Sequence, residues 1–225
     1  MKKILTALLL IFVLAAAGCG GDSAREIKLD NKELTDNTVA AMINAEIAEN
    51  AEKNGLDKDA LTFMKVSDIP GDLIGAWRSR AGVEVYLRGF GSSPSGEFTI
   101  AFDNARPEQV KNAVFVTRTI LGLVDQKNAD ELLAKAQLED TGAEPIAETV
   151  GEIKVEKAAL NHAKRRNGPE ELGVPLTVVI ISAKDARDEG YSSIKSRAES
   201  RARTQIETRW DDADPNRLLF NNKYQ

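Results

Sequence analysis

The sequence predicts an α+β fold in which an antiparallel sheet is packed by helices, chiefly over residues 106-138. Three observations carry that expectation. Two stretches of strict apolar/polar alternation flank a turn-rich loop within residues 82-103. A broad apolar stripe at helical spacing follows at once. A run of β-branched residues, Val178-Val179-Ile180-Ile181, then returns the chain to extended structure. Strands followed by helices and more strands, with no βαβ alternation, suit an antiparallel sheet covered by helices on one side.

Taken in order, the first helix is expected from Thr35 to Lys53. Asp36, Asn37 and Thr38 offer capping oxygens, Val39, Met42, Ile43 and Ile47 recur at helical spacing, and Asn54-Gly55 ends the run. Lys58 to Met64 reads as a further helical turn, ahead of a break at Ile69-Pro70-Gly71. In the hairpin, Val83, Val85 and Leu87 alternate with Glu84, Tyr86 and Arg88, and Phe98, Ile100 and Phe102 with Glu97, Thr99 and Ala101. Period two on both arms predicts strands with one face buried. Gly89 to Gly96 between them is rich in turn formers and carries Phe90 at its tip.

Pro107 and Glu108 suit the first turn of the long helix, whose stripe contains Val110, Val114, Ile120, Leu121 and Val124, widened by Phe115, Val116 and Leu123. Asn128 with Glu131 reads as a capping-box start for a second segment through Leu138. Thr141 to Glu148 reads as loop. Strands are expected near 150-156 and 174-182. A last helix over Ser192 to Trp210 has Ile194, Ala198, Ala202, Ile206 and Trp210 spaced by four among many charges, so its docking is expected to be partial.

The N-terminal residues bear on location. Met1-Lys2-Lys3 precedes an apolar run from Ile4 to Ala17, too short for the roughly 20 residues of a membrane-spanning helix. A basic front, a short apolar core and small residues at its end describe a secretory signal. Ala15-Ala16-Ala17-Gly18-Cys19 closes it and resembles the lipobox of bacterial lipoproteins. That resemblance implies cleavage between Gly18 and Cys19, a diacylglycerol group on the Cys19 thiol and acylation of the new N-terminus. Ala16 stands where the family most often has leucine. Cys19 is also the chain's one cysteine, so an internal disulfide is impossible and lipidation would account for the thiol.

The expected organisation is a signal peptide over 1-18, a lipidated N-terminus and polar tether over 19-34, an α+β domain over 35-190, and a C-terminal helix and polar tail over 191-225. A formal net charge of -5 argues against nucleic-acid binding, which needs a basic field, and against a polybasic grip on anionic lipid. Lipid is therefore expected to do the anchoring.

Candidate chemistry is sparse. His162, the one histidine, stands beside Lys164, Arg165 and Arg166. No HExxH, no GxSxG and no SxxK followed by KTG accompanies it, so no catalytic residue and no metal or other cofactor is assigned. Asp211, Asp212 and Asp214 lack an EF-hand's glycine and terminal glutamate and read as a solvated turn. The Gly89 to Gly96 loop joins two strands and lacks the P-loop lysine. Phe90 at its tip and the basic run Lys164, Arg165 and Arg166 are the candidate partner contacts. The function expected is a lipid-anchored cell-envelope protein, exposed outside the cytoplasm on a cell or outer membrane. It would be a non-catalytic binding or accessory module for an envelope protein or anionic polymer. A small-ligand-binding lipoprotein and a carboxylate-based envelope hydrolase are the alternatives.

Overall fold

A single seven-stranded sheet organises the described residues. The structure, a computed structural model, describes residues 25–66, 73–89, 95–140, 142, 144–160, 175–186 and 191–210, with side chains in the last stretch as far as Ala202. Seven strands are described: β1 (Met64–Lys65), β2 (Leu73–Arg78), β3 (Val83–Arg88), β4 (Glu97–Asp103), β5 (Ile146–Val150), β6 (Ile153–Leu160) and β7 (Leu176–Ala183). They lie in the order β1-β2-β3-β4-β7-β6-β5, every pair antiparallel. The helices are α1 (Asp36–Asn50), α2 (Lys58–Leu61), α3 (Pro107–Val124), α4 (Ala129–Ala136) and α5 (Ile194–Trp210). The α+β class and antiparallel sheet expected from the pattern are those observed.

Alternation assigns each strand residue to a face. One face carries Trp77, Val83, Val85, Leu87, Phe98, Ile100, Phe102, Val155, Val179 and Ile181. With Val39, Ile43 and Ile47 of α1, Phe115, Val116 and Ile120 of α3, and Leu132 of α4, it forms the main core. The opposite face presents Ala101, Ala158, Leu160, Leu176, Val178 and Ile180 to Ala198 and Ala202 of α5. Helices therefore cover both sides, where the sequence suggested one. The hairpin differs in the same way. Every residue of β4 is buried, as is every residue of β3 except the half-buried Arg88, so Glu84, Tyr86, Glu97 and Thr99 are enclosed and not solvated.

Local chemistry explains several boundaries. Thr35 caps α1 reciprocally with Thr38, each hydroxyl meeting the other residue's backbone N–H. Asn44 on α1 pairs its side-chain amide with both backbone groups of Phe63, at 3.0 and 2.8 Å, and so fixes the approach to β1. Asn128 does not act as the expected cap of α4. Its amide donates to Asp125 at 2.8 Å, and a Cβ on Gly151 would collide with it. Gly151 takes the left-handed φ of 61° that the two-residue β5–β6 turn requires, and that hairpin extends into residues expected as loop.

Two stretches were unread in the sequence. β2 has no clean alternation because its pairing with β3 shifts between Leu73 and Gly75. The Trp77 ring lies over Gly75, so close that a Cβ there would sit 2.2 Å from it. Residues 25–34, expected as tether, belong to the body. Ile27 and Leu29 are buried in the core, Ile27 N–H donates to the Leu123 carbonyl at 2.7 Å, and Gly96 N–H to that of Leu29 at 2.6 Å. Arg25 pairs with Glu46 and Glu49 of α1.

Gly75→Ala must displace the Trp77 indole from the core. The expected cost is about 1–3 kcal/mol of stability, as for other overpacked cores. Urea unfolding followed by Trp77 emission in a Trp210→Phe background measures it, and an unchanged midpoint would remove the packing argument.

Candidate functional site

Among the described residues, polar groups gather in an ion network beneath α5 and in two clefts along α3. The network comes first because it is buried. Register places Glu97 on β4 opposite Ser182 on β7, and Glu156 on β6 opposite Ile180, all on the α5 side of the sheet. The α5 residues Arg197 and Arg201, four apart and thus on one helical face, point down at these carboxylates. Arg201 Nε donates to Glu97 Oε1 at 2.6 Å and its Nη2 to Glu97 Oε2 at 3.3 Å. Arg197 divides its guanidinium between Glu97 Oε2, at 2.5 Å, and Glu156 Oε2, at 2.6 Å. Lys154 Nζ lies 3.6 Å from the other oxygen of Glu156. The Tyr191 ring lies 5.8 Å from the Arg201 guanidinium carbon, and its hydroxyl shares a hydrogen bond with Ser200.

Arg197 and Arg201 are 2% and 4% exposed, so they are not the solvated charges that helix composition suggests. Burial by itself would raise the Glu97 carboxyl. The hydrogen bonds and charges of Arg201, then Arg197, outweigh it and hold the group below the ordinary glutamate value. Further along the same face, Glu84 accepts from Arg78 Nε at 3.1 Å and from the Tyr86 hydroxyl at 2.8 Å. Both Glu97 oxygens are occupied by guanidinium donors, which suits a fixed carboxylate and not a proton carrier.

One buried cation lies on the other face. Lys157 donates to the carbonyls of Gln137 and Asp140, at 2.7 and 2.8 Å, where Gln137 ends α4 in the left-handed region. A cation there meets the negative end of the helix dipole. Burial lowers the Lys157 pKa, partly opposed by the charge of Asp140.

The first cleft, about 450 Å³, lies between α1 and the C-terminal half of α3. Arg25 with Glu46 and Arg118 with Asp130 form ion pairs on its walls. The second, about 680 Å³, is enclosed by Gly55–Ala60, the β2–β3 turn and the N-terminus of α3. Gly82 makes its wall possible. The residue has φ 85°, and a Cβ there would lie 2.4 Å from the Gln109 amide. Neither cleft brings together unpaired acids of the kind a glycosidase pair needs, and no cluster of three metal-ligating side chains occurs among the described residues.

No protein-family model, curated protein or solved structure matches the chain. Cys19 and Gly18, the contacts expected at Phe90, Lys164, Arg165 and Arg166, and His162, Asp211, Asp212 and Asp214 all lie outside the described residues. The network and both clefts were not found by sequence reasoning. The signals available for the network were two arginines four apart beside alanines at the same spacing, and glutamates set in otherwise apolar strands.

Glu97→Gln removes the carboxylate that Arg201 and Arg197 share, leaving Arg197 with Glu156, and breaking such a buried pair costs about 3–5 kcal/mol. Urea denaturation of the two proteins checks this. The same contribution depends on pH. Because the folded Glu97 pKa is lowered, its stabilisation is complete above the unfolded glutamate value and is lost as pH falls through the lower folded value. The Glu97→Gln variant should therefore show a shallower loss of stability on acidification below the ordinary glutamate range. Parallel acid curves for the two proteins would contradict this assignment.

Proposed function

We propose that this chain is a lipid-anchored cell-envelope protein whose domain is a non-catalytic binding or accessory module for an envelope protein or polymer. The observation that carries the reading is the placement of Cys19. It is the sole cysteine, it closes a short apolar leader behind small residues, and it precedes by six positions Arg25, which is ion-paired to the body. Only Gly20 to Ala24 separate a lipidated cysteine from the packed domain. At most about 3.5 Å per residue, that linker reaches roughly 20 Å. The domain would stand close above the headgroups, with the Arg25 end of the first cleft toward the membrane.

Such an arrangement suits an accessory role. Two or more acyl chains give stable attachment where one is marginal, while the acidic body adds no electrostatic grip. Occupied acceptors in the Glu97 network favour a binding module over a carboxylate hydrolase. The open cleft at the N-terminus of α3 favours the second reading, a small-ligand-binding lipoprotein, since a cleft of about 680 Å³ falls in the size range of small-molecule sites.

Expression of the full chain and of Cys19→Ala in a bacterial host with labelled palmitate tests the anchor. The wild type should incorporate label and sediment with membranes, and the variant should do neither. Equal membrane association without label in both proteins would sink the lipoprotein reading.

A further inference from the structure

The N-terminus of α3 is uncapped. Its cap position is Arg106, which has no side-chain acceptor to offer, and Pro107 supplies no N–H. The N–H groups of Glu108 and Gln109 make no hydrogen bond among the described residues, since the first backbone bond of the helix is Val110 N–H to the Arg106 carbonyl. Helix termini of this kind carry partial positive charge and present donors to anions.

A second observation points into the same cleft. Asn112 is 8% exposed and lines the cleft one turn further along α3, yet its side-chain amide has no partner among the described residues. The amide atoms themselves are not sealed from the cleft, so they are open to a ligand that would hydrogen-bond them. Gln109, equally buried, spends its Oε1 on the Asp103 N–H at 3.1 Å, which turns its remaining amide donors to other uses. Three cations also line the cleft: Arg80, Arg106 and Lys111. Each is held by an oxygen of the fold, from Asp59, Asp103 and Gly55 respectively. Asp57 and Glu108 are the opposing acids on its walls, and the Asp57 carboxylate is taken up by the N–H groups of Asp59 and Ala60. With Asp103, which pairs with Arg106, the charges around the cleft balance, so the donors at the helix end and not a net positive field single it out.

We propose that this cleft binds a phosphate group, with its oxygens on the Glu108 and Gln109 N–H groups and the Asn112 amide, and with Arg80, Arg106 and Lys111 around it. The phosphate belongs either to a free phosphorylated small molecule or to a phosphate-containing envelope polymer. The site goes beyond the anchoring reading and does not depend on it. α3 runs from Leu123, beside the N-terminal segment, to Pro107, a rise of about 24 Å at 1.5 Å per residue. In an anchored protein the cleft would therefore lie about 24 Å along α3 from the tethered end, open to soluble or polymeric ligands.

The test is a titration of the full chain in detergent with inorganic phosphate, glycerol 3-phosphate and poly(glycerol phosphate), against chloride at matched ionic strength. It is followed by the amide resonances of Glu108, Gln109 and Asn112. Saturable shifts with the phosphates and none with chloride are expected, and the tightest of the three probes identifies the source. Asn112→Leu, which removes no hydrogen bond of the fold, and Arg106→Gln should each weaken binding about tenfold, the loss of one charge-assisted hydrogen bond. Equal shifts with chloride, or undiminished binding by both variants, would overturn the proposal. Should Asn112→Leu fail to fold, the wild-type titration and Arg106→Gln decide. Lipid attachment plays no part in the readout, so failure here leaves the anchor reading standing, and failure of the anchor leaves this one.

Discussion

The rest of the fold's second layer depends on one carboxylate. Glu97 sits at the start of a central strand, fully engaged by two guanidiniums from a helix about a hundred residues later in the chain. Without that contact, α5 would be seated only by Ala198, Ala202, Ile194 and the Arg197–Glu156 pair among the described residues. Two alanines remove little apolar area from water. A planar guanidinium fork across a carboxylate, in contrast, admits a narrow range of geometries. The alanines allow close approach of the helix, and the arginines set where along the sheet it stops.

The two layers consequently differ in kind. On the α1, α3 and α4 side, aromatic and branched residues interdigitate, and the buried cation Lys157 donates to carbonyls at and just beyond the end of α4. On the α5 side the strands carry Glu84, Glu97, Glu156, Arg78 and Lys154 among small or branched apolar residues. Desolvating these charges costs several kcal/mol per ion, and the paired geometry recovers it only while every partner is present. That makes the α5 layer all-or-none in a way the apolar layer is not. Truncating Val155 leaves a cavity, whereas removing the Glu97 charge takes from two buried guanidiniums the carboxylate they share and leaves Arg197 with that of Glu156.

Much of the first layer was legible in the sequence, and the reasons are periodic. Val83 to Arg88 and Glu97 to Asp103 alternate, and α3 repeats apolar residues at helical spacing, so element type and order followed. The same alternation misled about exposure. A strand that places Glu84, Tyr86 and Arg88 on one side looks solvated there, because one chain cannot show that Arg78, Arg197 and Arg201 will neutralise that side from elsewhere. β2 was hidden by its shift at Gly75, where Trp77 folds back over a glycine. Ile27 and Leu29 looked like isolated apolar residues in a polar segment, and two such residues give no period to read. The cleft at α3 escaped for a different reason. Its signature is what is missing, a cap at Arg106 and a partner for Asn112, and that becomes visible only in three dimensions.

The central claim is that Glu97 and the α5 arginines act as a unit. A double-mutant cycle on Glu97→Gln and Arg201→Gln, measured by urea unfolding, addresses it directly, because the cycle isolates the pair from the cost of each substitution. The account predicts a coupling of about 2–3 kcal/mol, the upper part of the range for residues sharing one network. Additive costs, within about 0.5 kcal/mol, would mean that the two residues do not depend on one another, and the claim would fail.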